Sequence, residues 1–567
     1  MISLLGYLEF TGYAHWRVAL TLLVILLCAL PAGGWIVRGV RHAVAWLGRW
    51  PAVAMGAVFF VALAAVASLA IRRGMPLPYV HDEFSYLLSA DTFAAGRLSN
   101  PAPPAWEHFE SMHILVRPTY QSKYPPGQGL MLALGQVVFG HPAWGAWISH
   151  ALAAAVGVWM LRAFVPGAWA VLGGLMLAIH PQMLEWGQRY WGGTVGVIGG
   201  LLLLGAAGRV MWRRAGWSTG VAMGLGLLVL ANSRPFEGFV VAVLVVGGML
   251  IALIRRPPPR WQGWLAPALL ILFIGAAWMG YYNWRVTGNP LRLPYAEHQK
   301  QYAVVPLFIF QEKSPRPVYH SREMDLFHDR EQGYWYQRRQ WWPSLWEEAR
   351  KNIQRLYEGC LGNVEVLAVP LLILPWALWK DRKMRLLVAV LVLFLLALMA
   401  ETFMFPHYAG PAAAVVLAIT VVLMRWMWRI DPRIGRLLVR VTAGVFVLWS
   451  VFWWVGFFNW MQGPENWHAR RHQVESKLLG QREGKHLVFV RYGDHNVHEE
   501  WVYNRADLPG AKVIWARELP DAAKNQRLME LFPERQVWLV EPEDWEDGPV
   551  PYRRPHGGII SPATPAE

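Results

Sequence analysis

Long apolar runs alternate with short polar stretches through the first 458 positions of the chain. Twelve runs, near 18–37, 52–71, 143–162, 167–181, 194–209, 218–233, 238–254, 263–283, 362–379, 385–402, 410–428 and 437–458, are almost free of charge. Several are roughly 17 to 22 residues long, the length that crosses a hydrocarbon core as a helix. After position 458 the period shortens. "KHLVFVRYG", "AKVIWA" and "RQVWLV" read as strands, "NVHEEWVYN" as a helical turn and "DAAKNQRLMELF" as a helix. That alternation predicts a small α/β domain over 459–545, followed by a Pro/Gly-rich tail, 546–567, expected to be disordered. The expected fold class is an all-α polytopic membrane protein carrying a small C-terminal α/β domain.

Composition supports the membrane reading. Of 567 residues, 55% are hydrophobic and 16% charged, against about a quarter charged in a soluble protein. The net charge of +15 invites a nucleic-acid partner. The Lys and Arg residues, however, lie in short clusters between apolar runs. "RGVRHAVAWLGR", "MWRRAGW", "IRRPPPRWQ", "WKDRKMR" and "RWMWRIDPRIGR" fall in alternate loops, so one orientation puts all five in the cytoplasm. Arg72 and Arg73 are the exception, a pair able to snorkel at a helix end. The expected location is the cytoplasmic membrane, with segments 72–142 and 284–361 and the C-terminal domain outside. Two cysteines, Cys28 and Cys360, suggest neither a disulfide framework nor a metal site. The N-terminus lacks a signal-peptide pattern, so the first span is expected to be retained.

The first outer segment opens with "PLPYVHDEFSYLLSADTFAAG", where His81, Asp82 and Glu83 stand side by side. Phe84, Leu87, Leu88, Ala94, Ala95 and Leu98 recur at helical spacing, broken only by Asp91. The spacing predicts an amphipathic helix along the outer membrane surface, with Asp82 and Glu83 in its first turn, where the helix dipole favours negative charge. They either cap the helix or do chemistry. "GQGLMLALGQVVFG" (127–140) is apolar but short, as an interfacial or re-entrant helix would be. Other outer ends carry ionisable groups beside aromatics: Lys123 before two prolines; Asn232, Arg234 and Glu237; Glu401, His407 and Tyr408; Glu185 and Arg189. Singly, each reads as a snorkelling or capping group. Together they suit an anionic headgroup such as a phosphate. "HDE" is a conceivable partial site for a divalent ion. The cluster Asp494, His495, His498 and Glu499 in the tail invites a metal reading but lacks a second cluster at matching spacing.

The "DE" pair after an early span, the lysine–proline element "KYPP" entering a helix that ends in "FG", the run "HPAWGAWISHALAAAVGVWML" and the stretch "YYNWRVTGNPLRLPY" together resemble the GT-C superfamily of integral-membrane glycosyltransferases. The branch is that of protein O-mannosyltransferases and lipid A aminoarabinose transferases. The likeness covers residues 50–285 well and the later spans in layout. It implies an inverting transfer of one sugar from a polyprenyl-phosphate donor to a hydroxyl on a glycan, lipid or protein, made outside the membrane with no required metal. It also implies Asp82 as general base, with Glu83 as partner or alternative, and Lys123 on the donor phosphate. Arg117, Arg234, Glu237, His407 and Tyr408 are weaker carry-overs to the substrate-binding set. The chain departs from the family pattern at Tyr124, which separates Lys123 from the prolines, and after "HPQML", where "YWGGTVG" replaces an acidic residue. Two other classes remain open, a lipid-linked-sugar transporter and a ligase that moves whole glycans. The transporter lacks the expected internal repeat.

Overall fold

The computed structural model describes residues 21–26, 31–212, 215–255, 261–340, 342–361, 365–461, 466–481, 484–493 and 497–552. Among these, seven helices are long and apolar enough to cross a membrane. The count is eight if Gly167–Ile179 and Pro181–Gly187, bent by 55° at Pro181, form one span. The chain is a multi-pass membrane protein. Three further expected spans are shorter helices: Trp217–Ala231, Arg382–Leu398, and a 3₁₀ stretch Glu365–Ile373 that turns into Leu374–Lys380. Pro370 lies inside that 3₁₀ stretch and lacks the N–H a regular helix would need. Within the first expected span, residues 21–26 are helical, and a described helix Pro31–Leu47 carries Arg38 and Arg41, so much of the basic cluster there is helical. Positions 1–20 and 27–30, and the loop arginines Arg213, Arg214, Arg255 to Arg260 in part, lie outside the described residues or at their edge.

Small residues set a close helix crossing. A Cβ on Gly145 would run into the Met131 carbonyl, and one on Gly135 into the Gly145 backbone. This draws helix Pro126–Phe139 tightly onto Ala143–Leu161. Leu130, Leu134, Val137, Val138 and Phe139 remain exposed, as an interfacial helix requires. Two sets of polar contacts mark opposite ends of the bundle. At one end Arg162 donates to the Gly48 carbonyl (2.8 Å), Arg209 to the Trp159 carbonyl (2.7 Å), and Lys383 lies 3.8 Å over the Trp212 ring. The other end gathers the long connections.

There the helix His81–Ala94 forms as its spacing predicts, but it is not a surface helix. Both its faces are buried. One packs on Pro126–Phe139; the other is covered by the C-terminal domain, whose Tyr503 stacks on Phe84 at 4.3 Å between ring centroids. Asp91, the polar break in the apolar stripe, accepts from Gln136 (2.8 Å) and pairs with Arg505 (2.7 Å). The covering domain explains why that break is tolerated.

The C-terminal domain has a four-stranded sheet in the order Val513–Arg517, Lys485–Val490, Arg535–Val540, Val550–Pro551. The first three strands are parallel and the last antiparallel. Buried runs such as Leu487, Val488, Phe489 and Val490 give the continuous apolar pattern of a parallel sheet covered on both faces. Two expectations change here. The sheet reaches past 545, because Val550 and Pro551 pair with Leu539 and Trp538. From Val497 to Asn504 the segment expected as a helical turn is not helical: Arg471 donates to the Trp501 and Tyr503 carbonyls (2.9 and 2.8 Å) and holds it irregular. Asp494 and His495 lie outside the described residues; Glu499 pairs with Arg470 (2.7 Å) and His498 with Glu331 (2.7 Å).

Candidate active site

Glu83 is fully buried and its carboxylate is occupied. Oε2 accepts from the N–H groups of Tyr79 (2.6 Å) and Val80 (3.2 Å), and Oε1 from that of Tyr190 (2.8 Å). At the third helical position it reaches back to the donors that a helix start leaves orphaned. The Tyr190 bond and Arg189, 3.8 Å away, also fasten the helix to the turn before span Gly193–Met211. Asp82 differs. His113 Nε2 (3.0 Å) and the Tyr124 hydroxyl (2.8 Å) both meet Oδ1, and neither takes Oδ2. The Asp82 side chain is 27% exposed. Burial alone would raise its pKa, but His113, Lys123 and Tyr124 outweigh it and hold the carboxyl well below the usual carboxylate range. His113 is pushed down by burial and by Lys123. At neutral pH the pair is therefore a carboxylate receiving the N–H of a neutral imidazole.

Cations and aromatics surround this carboxylate. Lys123 is buried, with its ammonium 4.8 Å from the Tyr295 ring centroid and 5.1 Å from that of Tyr124. Burial lowers its pKa to about 8, against the pull of Asp82. Arg189 lies over Tyr79 (4.7 Å) and Trp191 (5.2 Å), and its Nε and Nη1 have no hydrogen-bond partner. Arg234 lies 4.9 Å over Tyr408 and 3.7 Å from Glu237; its Nη2 reaches the Trp191 carbonyl at 3.5 Å. His407 stacks on Trp191 at 4.9 Å, and its Nε2 is unpartnered. The Asn232 carbonyl accepts from Gly127 N–H (2.7 Å), joining this end of the bundle to the start of the interfacial helix. A pocket beside Lys123 is lined by Pro125, Pro126, Ala231, Met279, Tyr282 and Tyr295, among others. It is an apolar recess with one ammonium at its edge.

The structure thus brings Asp82, Glu83, Lys123, Arg189, Arg234, Glu237, His407 and Tyr408 to one end of the bundle. Buried Glu401 is in electrostatic reach of Arg234 and Glu237. Arg117 stands apart, exposed, with its guanidinium 3.5 Å over the Trp106 ring. Glu185 accepts from Gln182 (2.5 Å) within its own turn. Among the described residues, no three His, Cys, Asp or Glu side chains are grouped as a metal ion would require. Sequence reasoning missed His113, Tyr124, Tyr295 and Trp191 as partners. His113 sits in "SMHILVRPTY", which has no helical or strand period to assign it a face. Only its contact with Asp82 reveals it.

No protein-family model matches the chain, and no curated protein matches its sequence. Solved structures do. ArnT from Cupriavidus metallidurans in the apo state aligns over 91% of this chain and 95% of its own at 14% identity, with a TM-score of 0.50. The same protein bound to undecaprenyl phosphate aligns over 91% of each chain at 15% identity, with a TM-score of 0.48. The oligosaccharyltransferase AglB from Archaeoglobus fulgidus, in complex with an inhibitory peptide and a dolichol-phosphate, covers 86% of this chain and 69% of its own at 12% identity, with a TM-score of 0.39. At these identities the likeness to ArnT is one of fold. The chain has the fold of that apo ArnT structure.

Proposed function

We propose that the protein transfers a single sugar, with inversion, from a polyprenyl-phosphate donor to a hydroxyl acceptor at the extracytoplasmic face of the cytoplasmic membrane. The observation that carries this reading is the Asp82 carboxylate, fixed through Oδ1 and untaken at Oδ2, beside buried Lys123 and an Arg189 with unpartnered donors. A base must be oriented and still have a lone pair for the proton it removes. The acceptor O–H gives its proton to Asp82 Oδ2 as the oxygen forms a bond to the anomeric carbon. The bond from that carbon to the phosphate oxygen breaks on the opposite side, which inverts the centre. The negative charge left on the lipid phosphate is met by Lys123, Arg189 and Arg234, cations aimed at charge that grows in the transition state.

The apolar lining beside the Lys123 ammonium supports a donor that joins an anionic head to an apolar group. The acceptor is any hydroxyl-bearing glycan, lipid or protein that reaches this end of the bundle. The chemistry assigns no step to a metal, so the reading includes full transfer after chelation. Glu83, with both oxygens accepting backbone N–H groups, holds the helix in place and is not the base.

The test is sugar transfer from a panel of radiolabelled polyprenyl-phosphate sugars by membranes holding the wild type or Asp82→Asn. Transfer by the wild type and its loss in the variant, with donor binding kept, supports the reading. Equal transfer by both removes Asp82 as base. A wild type that flips lipid-linked sugars without transferring any, or that accepts only diphosphate-linked glycans, favours the transporter or the ligase.

A further inference from the structure

Five imidazoles gather around Asp82, four of which the transfer step does not use. His81 precedes Asp82 on its helix, and His113 holds it. His298 comes from helix Pro294–Tyr302, His328 from the π-helical turn Leu326–Glu331, and His498 from the C-terminal domain. Ring centroids are 5.7 Å apart for His81–His113, 6.3 Å for His113–His298 and 5.5 Å for His298–His328. His498 stacks on His81 at 5.3 Å, and the Phe327 ring stands 5.3 Å from His81 and 5.4 Å from His113. Five stretches of chain converge to build this wall.

Buried polar nitrogens are nearly always satisfied. Here His81 Nε2, His113 Nδ1 and His298 Nε2 have no partner, although these residues are 6%, 8% and 1% exposed. Burial, with repulsion from other imidazoles and from Lys123, pushes His298 well below its ordinary pKa, and burial with repulsion from His113 and His498 takes His81 to about 3. His81 and His298 are therefore neutral. A neutral imidazole offers one N–H and one lone pair, and a hydroxyl offers the same two functions in return. An anion would call for charged donors, whereas the unpartnered nitrogens of His81 and His298 belong to neutral rings. Phe327 adds an apolar face among the polar nitrogens, a mixture common in small-molecule sites. A π-helical turn is rare and is found mostly at functional sites.

We infer that this imidazole wall is a recognition subsite for a neutral, hydroxyl-rich group, a sugar ring or a sugar-like polyol, carried by the acceptor next to the hydroxyl that Asp82 deprotonates. Its assignment to the acceptor rests on the transfer reading above.

Two measurements on the full chain in lipid nanodiscs test the proposal. In equilibrium binding, methyl α-D-mannopyranoside and methyl β-D-glucopyranoside are the probes and inorganic phosphate the control. At least one glycoside is expected to bind saturably, and at least tenfold more weakly to His298→Phe and to His498→Phe. His498 lies at the rim, so its variant keeps the test valid if His298→Phe fails to fold. Saturable glycoside binding that neither variant weakens, phosphate in place of glycoside, or no saturable binding overturns the subsite. In the transfer assay with the bound glycoside as acceptor, His498→Phe is expected to raise its half-saturating concentration about tenfold and leave that of the donor unchanged. The opposite split overturns the assignment to the acceptor. A wild type that binds glycoside but transfers nothing removes the transfer reading and leaves the subsite. One that transfers but binds no glycoside removes the subsite alone.

Discussion

Asp82 and Glu83 are neighbours in the chain, yet their surroundings have almost nothing in common. Around Glu83 three backbone N–H groups and Arg189 converge on a side chain with no exposure. Around Asp82 two side-chain donors occupy one oxygen, cations stand close by, and a quarter of the side chain is open. A carboxylate with both oxygens bound by backbone donors fixes geometry. One that is oriented but incompletely bonded still has capacity for a proton. Residue type and position in the helix do not separate the two roles; the count and direction of hydrogen bonds do.

Replacing each carboxylate by its amide is the strongest test of that difference. Asp82→Asn is expected to lower transfer by about 10² to 10⁴, the range for loss of a positioned base, with the melting temperature and donor binding kept. Glu83→Gln turns an amide group toward N–H donors and leaves Arg189 without its counter-charge, so it is expected to cost about 1 to 3 kcal/mol of stability, read as a lower melting temperature. If Glu83→Gln loses transfer as steeply as Asp82→Asn while keeping its melting temperature, the division of labour is wrong.

The next effect concerns the cation. Lys123→Ala is expected to lower turnover by about 10² to 10³, as for removal of one donor to developing negative charge. Because Lys123 has its pKa near 8, it is charged below that pH and transfer is expected to decline above it. Lys123→Arg, if active, moves that alkaline limb upward in a pH–rate profile. A smaller shift is expected on the acid side. Transfer needs Asp82 ionised, so it falls as pH drops through the lowered pKa; Tyr124→Phe removes one of the bonds that keep it low. The acid limb then moves to higher pH while the rate at neutral pH changes little. Smallest of all, Arg505→Ala breaks a pair in which the arginine is largely exposed. It is expected to change stability by no more than about 1 kcal/mol and to leave turnover unchanged.

Much of this site was legible in the sequence because it depends on local order. The apolar runs, the helix that starts at His81, Lys123 ahead of its prolines, and the polar groups at the ends of spans all follow from residues within one or two turns of each other. The imidazole wall and the roof over the helix do not. Phe84 meets Tyr503, and His81 meets His498, across some four hundred residues, and no periodicity in "DLFHDR" or "AEHQKQY" tells which way His328 or His298 will point. The same limit explains the surface-helix expectation. An amphipathic stripe shows that one face must be covered; it is silent on whether lipid, protein or both provide the cover. The short helices at 217–231 and 382–398 show the converse, since hydropathy marks an apolar run without fixing where its helix stops.

Arg517 lies at the end of a strand in the C-terminal sheet and donates to Glu323 (2.6 Å), in the short helix just before the π-helical turn, and to Glu500. Those partners are made in the order Glu323, Glu500, Arg517, so on the ribosome the wall around Asp82 is finished late. A nascent chain already threaded into the bilayer, with its carboxylate and cations in place, still lacks the buttress that braces the segment carrying His328. Synthesis itself thereby orders the assembly, and the spans are committed to the membrane before the pocket they support is closed.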